Sequence, residues 1–283
     1  MNKIREVVHP KSVAAAWTAR REKSDATRYL AGGIDVTLYT PPAVSTVIDL
    51  SALDLSSIRE ENAELVIGAT ATMTQVRESK AVLSLIGGFF SDVLANVASP
   101  LQRNLGTIGG TIASAHPWSD VIPALLVLDA RLALYDGSER TIGLAEYLDD
   151  RSSNAVALIT AVHIPRPEST VRAAYETFVR TTFDVSTLNC ACLVDIVDEV
   201  CRSARLAVGG TPALARRVEE IETLLVGQRL TAGQIERVAS AAADAVLVRD
   251  DARATSAYRR QLVRVGVSRC LERAAGAGGK DGQ

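Results

Sequence analysis

"NLGTIGGTIASAHPWSD", Asn104 to Asp120, holds three glycines within five residues, with Thr107 and Thr111 around the pair and an acid at its end. A glycine pair lets a ligand approach the main chain, and successive N–H groups in a tight turn form an anion-binding nest. The spacing matches neither GxGxxG nor GxxxxGK(S/T), so neither of the two best-known nucleotide loops describes it, and a purely structural turn competes with a phosphate site. Thr107 and Thr111 can donate hydroxyl hydrogen bonds, whereas ionised Asp120 can only accept, which suits ribose hydroxyls or an amino group. Asp120 also stands before the apolar run "VIPALLVLDA", where an acid favours a helix N-terminus. Ligand contact and helix cap are both open for it.

A second glycine pair lies upstream. "YLAGGID", Tyr29 to Asp35, reads as a strand entering a Gly-Gly turn and then a short apolar helix. Two such turns suit the two phosphates of one pyrophosphate.

The rest of the chain is mixed α and β. Ser12 is placed to cap a helix "SVAAAWTARRE"; "TVIDL" and "LVIGA" read as buried strands; "AVLSLIGGFFSDVLANVA" reads as one helix. "RLALYDGSERTI" suggests a hairpin turning at Asp136-Gly137, and "AVALITAVHIP" a strand that Pro165 ends. From Ala173 to Val208 the text is strand-like, with a tight turn at Asp198-Glu199. From Val218 it is helical: "TAGQ", Thr231 to Gln234, has the form of a capping box, and a last helix is expected near Ala257 to Arg273. The style changes between residues 165 and 172. The expected division is therefore an N-terminal domain over 1–168, a C-terminal domain over 169–274 and a disordered tail over 275–283.

Composition narrows the function classes. The 283 residues are 47% hydrophobic and only 4% aromatic, so aliphatic side chains must supply the packing. The formal net charge is −2 and Lys and Arg are dispersed, which argues against nucleic acid as a partner. No apolar run reaches the roughly 18 residues of a membrane span, and "MNKIREVVHP" lacks the apolar segment of a signal peptide, so the expectation is a cytoplasmic protein. Cys190, Cys192, Cys201 and Cys270 form no CxxC pair and have no histidine cluster nearby; they read as packed thiols, with no metal or iron–sulfur cluster of the chain's own. His9, His116 and His163 are isolated in sequence and read as surface or packing residues, with His116 the one near the glycine segment.

At this point a resemblance becomes visible. "YLAGGIDV", "IDLSALDLSSI", "LVIGATATMTQV", "VASPLQRNLGTIGGTIASAHPWSDVIPALLVLDARLAL", "CRSARLAVGGTPALARR" and "YRRQLVRVGVSR" resemble, in order and over nearly the whole chain, the FAD-binding or medium subunit of the molybdenum hydroxylases. This is the family of xanthine dehydrogenase, carbon monoxide dehydrogenase and aldehyde oxidoreductase. The resemblance implies an α+β protein: a vanillyl-alcohol-oxidase-like FAD-binding domain of two α/β subdomains, then a C-terminal antiparallel sheet packed on helices. It implies FAD with its pyrophosphate held by both glycine turns. Carried over residue by residue, the cofactor contacts are Leu30, Ala31, Gly32, Gly33, Ile34, Asp35 and Val36, then Thr107, Ile108, Gly109, Gly110 and Thr111, with Asp120 as the downstream acid, which favours its ligand role.

The resemblance further implies an electron-transfer subunit beside a large subunit with the molybdenum cofactor and a small subunit with 2Fe-2S clusters, doubled in some assemblies to a dimer of heterotrimers. No substrate-activating acid, base or nucleophile is expected in this chain. Departures from the family pattern are Ile34, where Thr, Gln or Ser is usual; "LYTPP", where a basic residue is common; Thr111, where Asn or Asp is frequent; and no secure match for a Lys near the flavin, with Arg180 the substitute on offer. The alternatives are a free-standing FAD-dependent oxidoreductase and a FAD-less assembly module of the same fold.

Overall fold

A computed structural model describes residues 4–276; residues 277–283, which fall in the expected disordered tail, lie outside them. Within those residues the chain forms two compact units, one built from 4–81, 99–114 and 129–165, the other from 82–98, 115–128 and 166–276.

The first unit contains two sheets. Three parallel strands, β1 (Glu6–Val8), β2 (Thr27–Leu30) and β3 (Thr46–Asp49), pair in the order β1-β3-β2. Parallel strands need crossover connections, and helix Val13–Glu22 supplies the one from β1 to β2. Ser12 caps it, its hydroxyl accepting the Ala15 N–H at 3.1 Å. Ala16 on that helix is buried together with Ile48, Leu50, Leu53 and Leu158.

The second sheet is antiparallel. Its strands are β4 (Ile58–Glu61), β5 (Glu64–Gly68), β6 (Arg131–Tyr135), β7 (Glu139–Gly143) and β8 (Leu158–Pro165), in the order β4-β5-β8-β6-β7. The hairpin between β6 and β7 turns at residues 136–138, with Gly137 at φ 112°. Strand β4, "IREE", has an exposed, charged face and carries no apolar alternation by which the sequence could announce it.

The second unit is a four-stranded antiparallel sheet with helices. Strands β9 (Val171–Phe178), β10 (Leu188–Val197), β11 (Val200–Gly209) and β12 (Arg216–Arg217) pair in chain order. Asp198 and Glu199, which join β10 to β11, have φ of 52° and 65°, the two positive values that a mirror-image hairpin turn requires. Residues 188–194 of β10 are buried without alternation. Helix Ser256–Ala275 covers the face of Leu188, Cys190, Cys192 and Val194, and the seven buried residues of helix Val121–Val127 pack against the same strand. All four cysteines are free and buried.

Two local expectations need correction. The expected single helix over 81–98 is broken: Ile86 and Gly87 take left-handed φ of 46° and 63°, and Gly88 follows at 89°. Helices Lys80–Ser84 and Phe89–Asn96 flank that turn, because the glycine pair makes the left-handed turn inexpensive. At "TAGQ" only half of a capping box forms. Thr231 accepts the Gln234 N–H at 3.3 Å, while the Gln234 amide donates to the Leu224 carbonyl at 2.7 Å instead of reaching back. Complete boxes form at Thr72–Gln75 and Ser99–Gln102. No helix among the described residues is long and apolar enough to cross a membrane.

One buried cation organises an end of the second unit. Arg259, 1% exposed, donates to the carbonyls of Thr187, Gly210, Arg249 and Ala254 and to Asp251. Burial opposes ionisation of Asp251, but hydrogen bonds from Arg259 and from the N–H groups of Arg253 and Ala254 outweigh it and hold its pKa at about 2. A depressed carboxyl contributes stability above its ordinary pKa and loses it as pH falls through the folded value. We expect Arg259→Lys, which keeps the charge but not the forked donor set, to cost about 3 kcal/mol in urea unfolding at neutral pH. In Asp251→Asn the loss of stability between pH 3.8 and about 2 should shrink relative to wild type.

Candidate functional site

The two glycine turns meet within the first unit. A Cβ built on Gly32 falls 1.8 Å from the Leu105 carbonyl oxygen, and one on Gly106 falls 3.3 Å from the Ile34 side chain. Backbone lies directly on backbone here. Asp35, one residue beyond Ile34, accepts a 2.5 Å hydrogen bond from Ser114, which ties the short helix Ile34–Tyr39 to helix Ile108–Ser114. Arg151 closes the same end of that second helix by donating to the carbonyls of Ala113 and Ser114.

The turns differ in what they leave open. In the downstream turn the N–H of Ile108 donates to Ala71, that of Gly109 to Ala69, that of Gly110 to the Thr107 hydroxyl and that of Thr111 to the Thr107 carbonyl. The Thr107 N–H and the Thr111 hydroxyl make no hydrogen bond among the described residues. Gly109 has a structural reason to be glycine, since its Cβ would lie 2.6 Å from the Ala69 methyl.

The upstream turn is the more open one. Gly33 is left-handed at φ 78° and ψ −7°, and Ile34 begins a helix behind it. This alternation makes successive N–H groups converge, which is the geometry of an anion nest. The N–H groups of Gly32, Gly33 and Ile34 find no acceptor among the described residues. A Cβ on Gly33 would meet only the Leu30 side chain, at 3.5 Å. Ile34 supplies no side-chain donor, but its main chain keeps one.

Asp120 belongs to the second unit. It stands at the start of helix Val121–Val127 but makes no side-chain cap, so the geometry removes the capping role. Its Oδ1 accepts instead from Tyr175, from Ser186 at 2.5 Å and from Asn189 at 2.7 Å, while Thr177, 3.4 Å from the same oxygen, donates to the Ser186 hydroxyl at 2.8 Å. Burial pushes the carboxyl above its ordinary range, and the bonds from Ser186, Tyr175 and Asn189 pull against that. Burial, together with the neighbouring Asp120, raises the Tyr175 phenol well above its ordinary value. Sequence reasoning missed these four residues; the available signal was a set of polar residues inside strands that otherwise read as core.

The remaining candidates have ordinary partners. His116 stacks on Trp118 with ring centroids 4.7 Å apart, and Arg253 lies over the same indole at 5.1 Å. His9 sits 3.3 Å from Asp49 and His163 sits 3.2 Å from Glu64. Arg180 pairs with Asp184 at 2.9 Å. No group of three or more His, Cys, Asp or Glu among the described residues could hold a metal ion.

A side chain at Gly32 has no space, whereas at Gly33 it has space but the wrong backbone. Gly32→Ala should therefore cost about 2–4 kcal/mol by forcing the two turns apart, and Gly33→Ala only about 1–2 kcal/mol, the left-handed penalty. Paired urea titrations of the two variants check the order.

Comparison with known proteins identifies the family of the chain. Residues 2–167 match the family described as FAD binding domain in molybdopterin dehydrogenase, and residues 173–274 the CO dehydrogenase flavoprotein C-terminal domain. The carbon monoxide dehydrogenase medium chain of Afipia carboxidovorans is 29% identical over 279 residues, covering 94% of each chain. The 6-hydroxypseudooxynicotine dehydrogenase complex subunit alpha of Paenarthrobacter nicotinovorans is 28% identical over 272 residues, covering 93% of this chain and 92% of that one. Among solved structures, a chain of the carbon monoxide dehydrogenase from Hydrogenophaga pseudoflava that lacks the Mo-pyranopterin moiety of the molybdenum cofactor superposes with a TM-score of 0.90 at 25% identity, over 98% of this chain and 99% of that one. The chain thus belongs to the FAD-binding medium subunits of the molybdenum hydroxylases, an oxidoreductase family whose α+β fold and FAD-binding domain it shares.

Proposed function

We propose that this chain is the electron-transfer subunit of a molybdenum hydroxylase, passing electrons from 2Fe-2S clusters in a small partner subunit to an external acceptor, beside a large subunit that carries the molybdenum cofactor. The observation that carries the reading is the nest at Gly32, Gly33 and Ile34, whose three N–H groups have no acceptor among the described residues. Donors of that kind fit a diphosphate.

In this reading the main chain of Gly32, Gly33 and Ile34 donates to pyrophosphate oxygens of FAD. The Thr107 N–H and the Thr111 hydroxyl add donors from the neighbouring turn. Leu30, Ala31 and Val36 supply apolar surface around the nest, and Asp35 fixes its helix through Ser114. Ile108, Gly109 and Gly110 shape the second turn with amides that the protein itself satisfies. Asp120 accepts from a cofactor hydroxyl. When bound, FAD supplies a ring system that takes up and releases electrons, so the chain's own task is binding and orientation. Partner subunits are supported by relatives named as a medium chain and as a subunit of a dehydrogenase complex.

Asp and Asn both tolerate the left-handed conformation, so they separate charge from strain at the nest. After incubation with FAD and desalting, the wild-type chain and Gly33→Asn should show flavin absorption bands, with Asn weaker. Gly33→Asp should fold and show none, because its carboxylate faces the phosphates. A wild-type chain without flavin bands, or a Gly33→Asp chain with undiminished ones, overturns the reading. Molybdenum and iron measured in the complex purified through a tag on this chain test the partners; a flavin-loaded chain carrying neither element supports a free-standing flavoenzyme.

A further inference from the structure

Asp120 has two chemically equivalent carboxylate oxygens and uses them very differently. Tyr175, Ser186 and Asn189 converge on Oδ1, whereas Oδ2 accepts no hydrogen bond among the described residues. Nor does Oδ2 fall among the fully buried side-chain atoms left without a partner, which are Ser119 Oγ, Arg151 Nε, Asn189 Oδ1 and Asp195 Oδ1. Oδ2 is therefore the oxygen that is not fully sealed from solvent.

The donors sit on rigid elements. Thr177 on β9 lies opposite Asn189 on β10 in the strand ladder, and Tyr175 lies two residues from Thr177, on the same face. Ser186 stands just before β10 and, its own proton given to Asp120, accepts a 2.8 Å hydrogen bond from Thr177. Asn189 is wholly buried and also donates to the Ser119 carbonyl at 3.2 Å, which pins the chain on the N-terminal side of Asp120. Left to itself, an aspartate samples several rotamers and would lose that freedom on binding a ligand. Here the loss is incurred on folding.

We propose that Tyr175, Ser186 and Asn189 are positioning residues for Asp120, holding Oδ1 inward so that Oδ2 is presented to a hydroxyl of FAD. This inference rests on the FAD reading above and extends it to side chains that do not themselves touch the cofactor. Removing one donor loosens the orientation of the carboxylate and also takes a hydrogen bond from its ionised form, which raises its pKa.

The test uses the full chain, stripped of FAD and titrated with FAD by fluorescence, with far-UV circular dichroism as the check on folding. Asp120→Ala should weaken FAD binding about tenfold, and Tyr175→Phe about fivefold. The double variant should match Asp120→Ala alone, because Tyr175 acts only through Asp120. FAD affinity falls on the acid side as Asp120 protonates, and in Tyr175→Phe that fall should begin at a higher pH than in wild type. If Tyr175→Phe does not fold, Ser186→Ala, which deletes a hydroxyl and no ring, carries the same expectations. Additive effects, or an acid limb and affinity unchanged in the donor variants while Asp120→Ala weakens binding, overturn the positioning role. Unchanged affinity in Asp120→Ala overturns it too but leaves the FAD reading standing, whereas a wild-type chain that binds no FAD overturns both.

Discussion

The first unit depends on one backbone contact, Gly32 against the Leu105 carbonyl, where a single methyl group would have to occupy space 1.8 Å from an oxygen. That contact brings two segments separated by more than seventy residues of sequence into one cradle. Around it, each neighbouring feature has a reason. Gly33 turns the chain left-handed so that its amides converge, Asp35 and Ser114 link the helices that leave the two turns, and Gly109 lets the second helix lie against Ala69. A cradle built from main chain rather than side chains tolerates sequence change well. Ile34 brings no polar side chain to it, but its N–H points the same way as those of its neighbours whatever the side chain.

The second unit relies on a different device. Its sheet has a strand, β10, covered on both faces, and polar groups placed there must be satisfied from within. Arg259 does this for four carbonyls, and the set around Asp120 does it for a carboxylate. Each takes side chains or backbone from several elements at once. Each is also a place where a charge sits in surroundings that apolar packing alone would fill.

Much of this was legible in the sequence, and the exceptions have physical causes. Strong apolar runs such as "TVIDL" and "AVALITAVHIP", the Asp198-Glu199 turn and the Ser12 cap announce themselves through local chemistry, and the structure has them. Helix 81–98 was misread because periodicity counts Gly87-Gly88 as tolerable interruptions, whereas the backbone used them to turn left-handed. The half-formed box at Thr231 failed because Gln234 found a better acceptor in Leu224, a contact ten residues distant in sequence. The cradle was visible as glycine pairs, but the reason for each glycine was not: Gly109 looked like ligand clearance and proves to face Ala69. The partners of Asp120 could not be found from spacing, since they lie 55 to 69 residues away and meet it only through the sheet.

The unequal state of the two turns has a practical consequence. The amides of Ile108 to Thr111 are satisfied by the protein itself, which leaves the Thr107 N–H as the one main-chain donor of that turn without an acceptor among the described residues. The nest at Gly32 to Ile34 is a ready seat for any small oxyanion. Under the proposed binding mode, phosphate or sulfate in a purification buffer competes with FAD for the same three amides, and the yield of reconstituted flavoprotein depends on the buffer salt as well as on the supply of FAD.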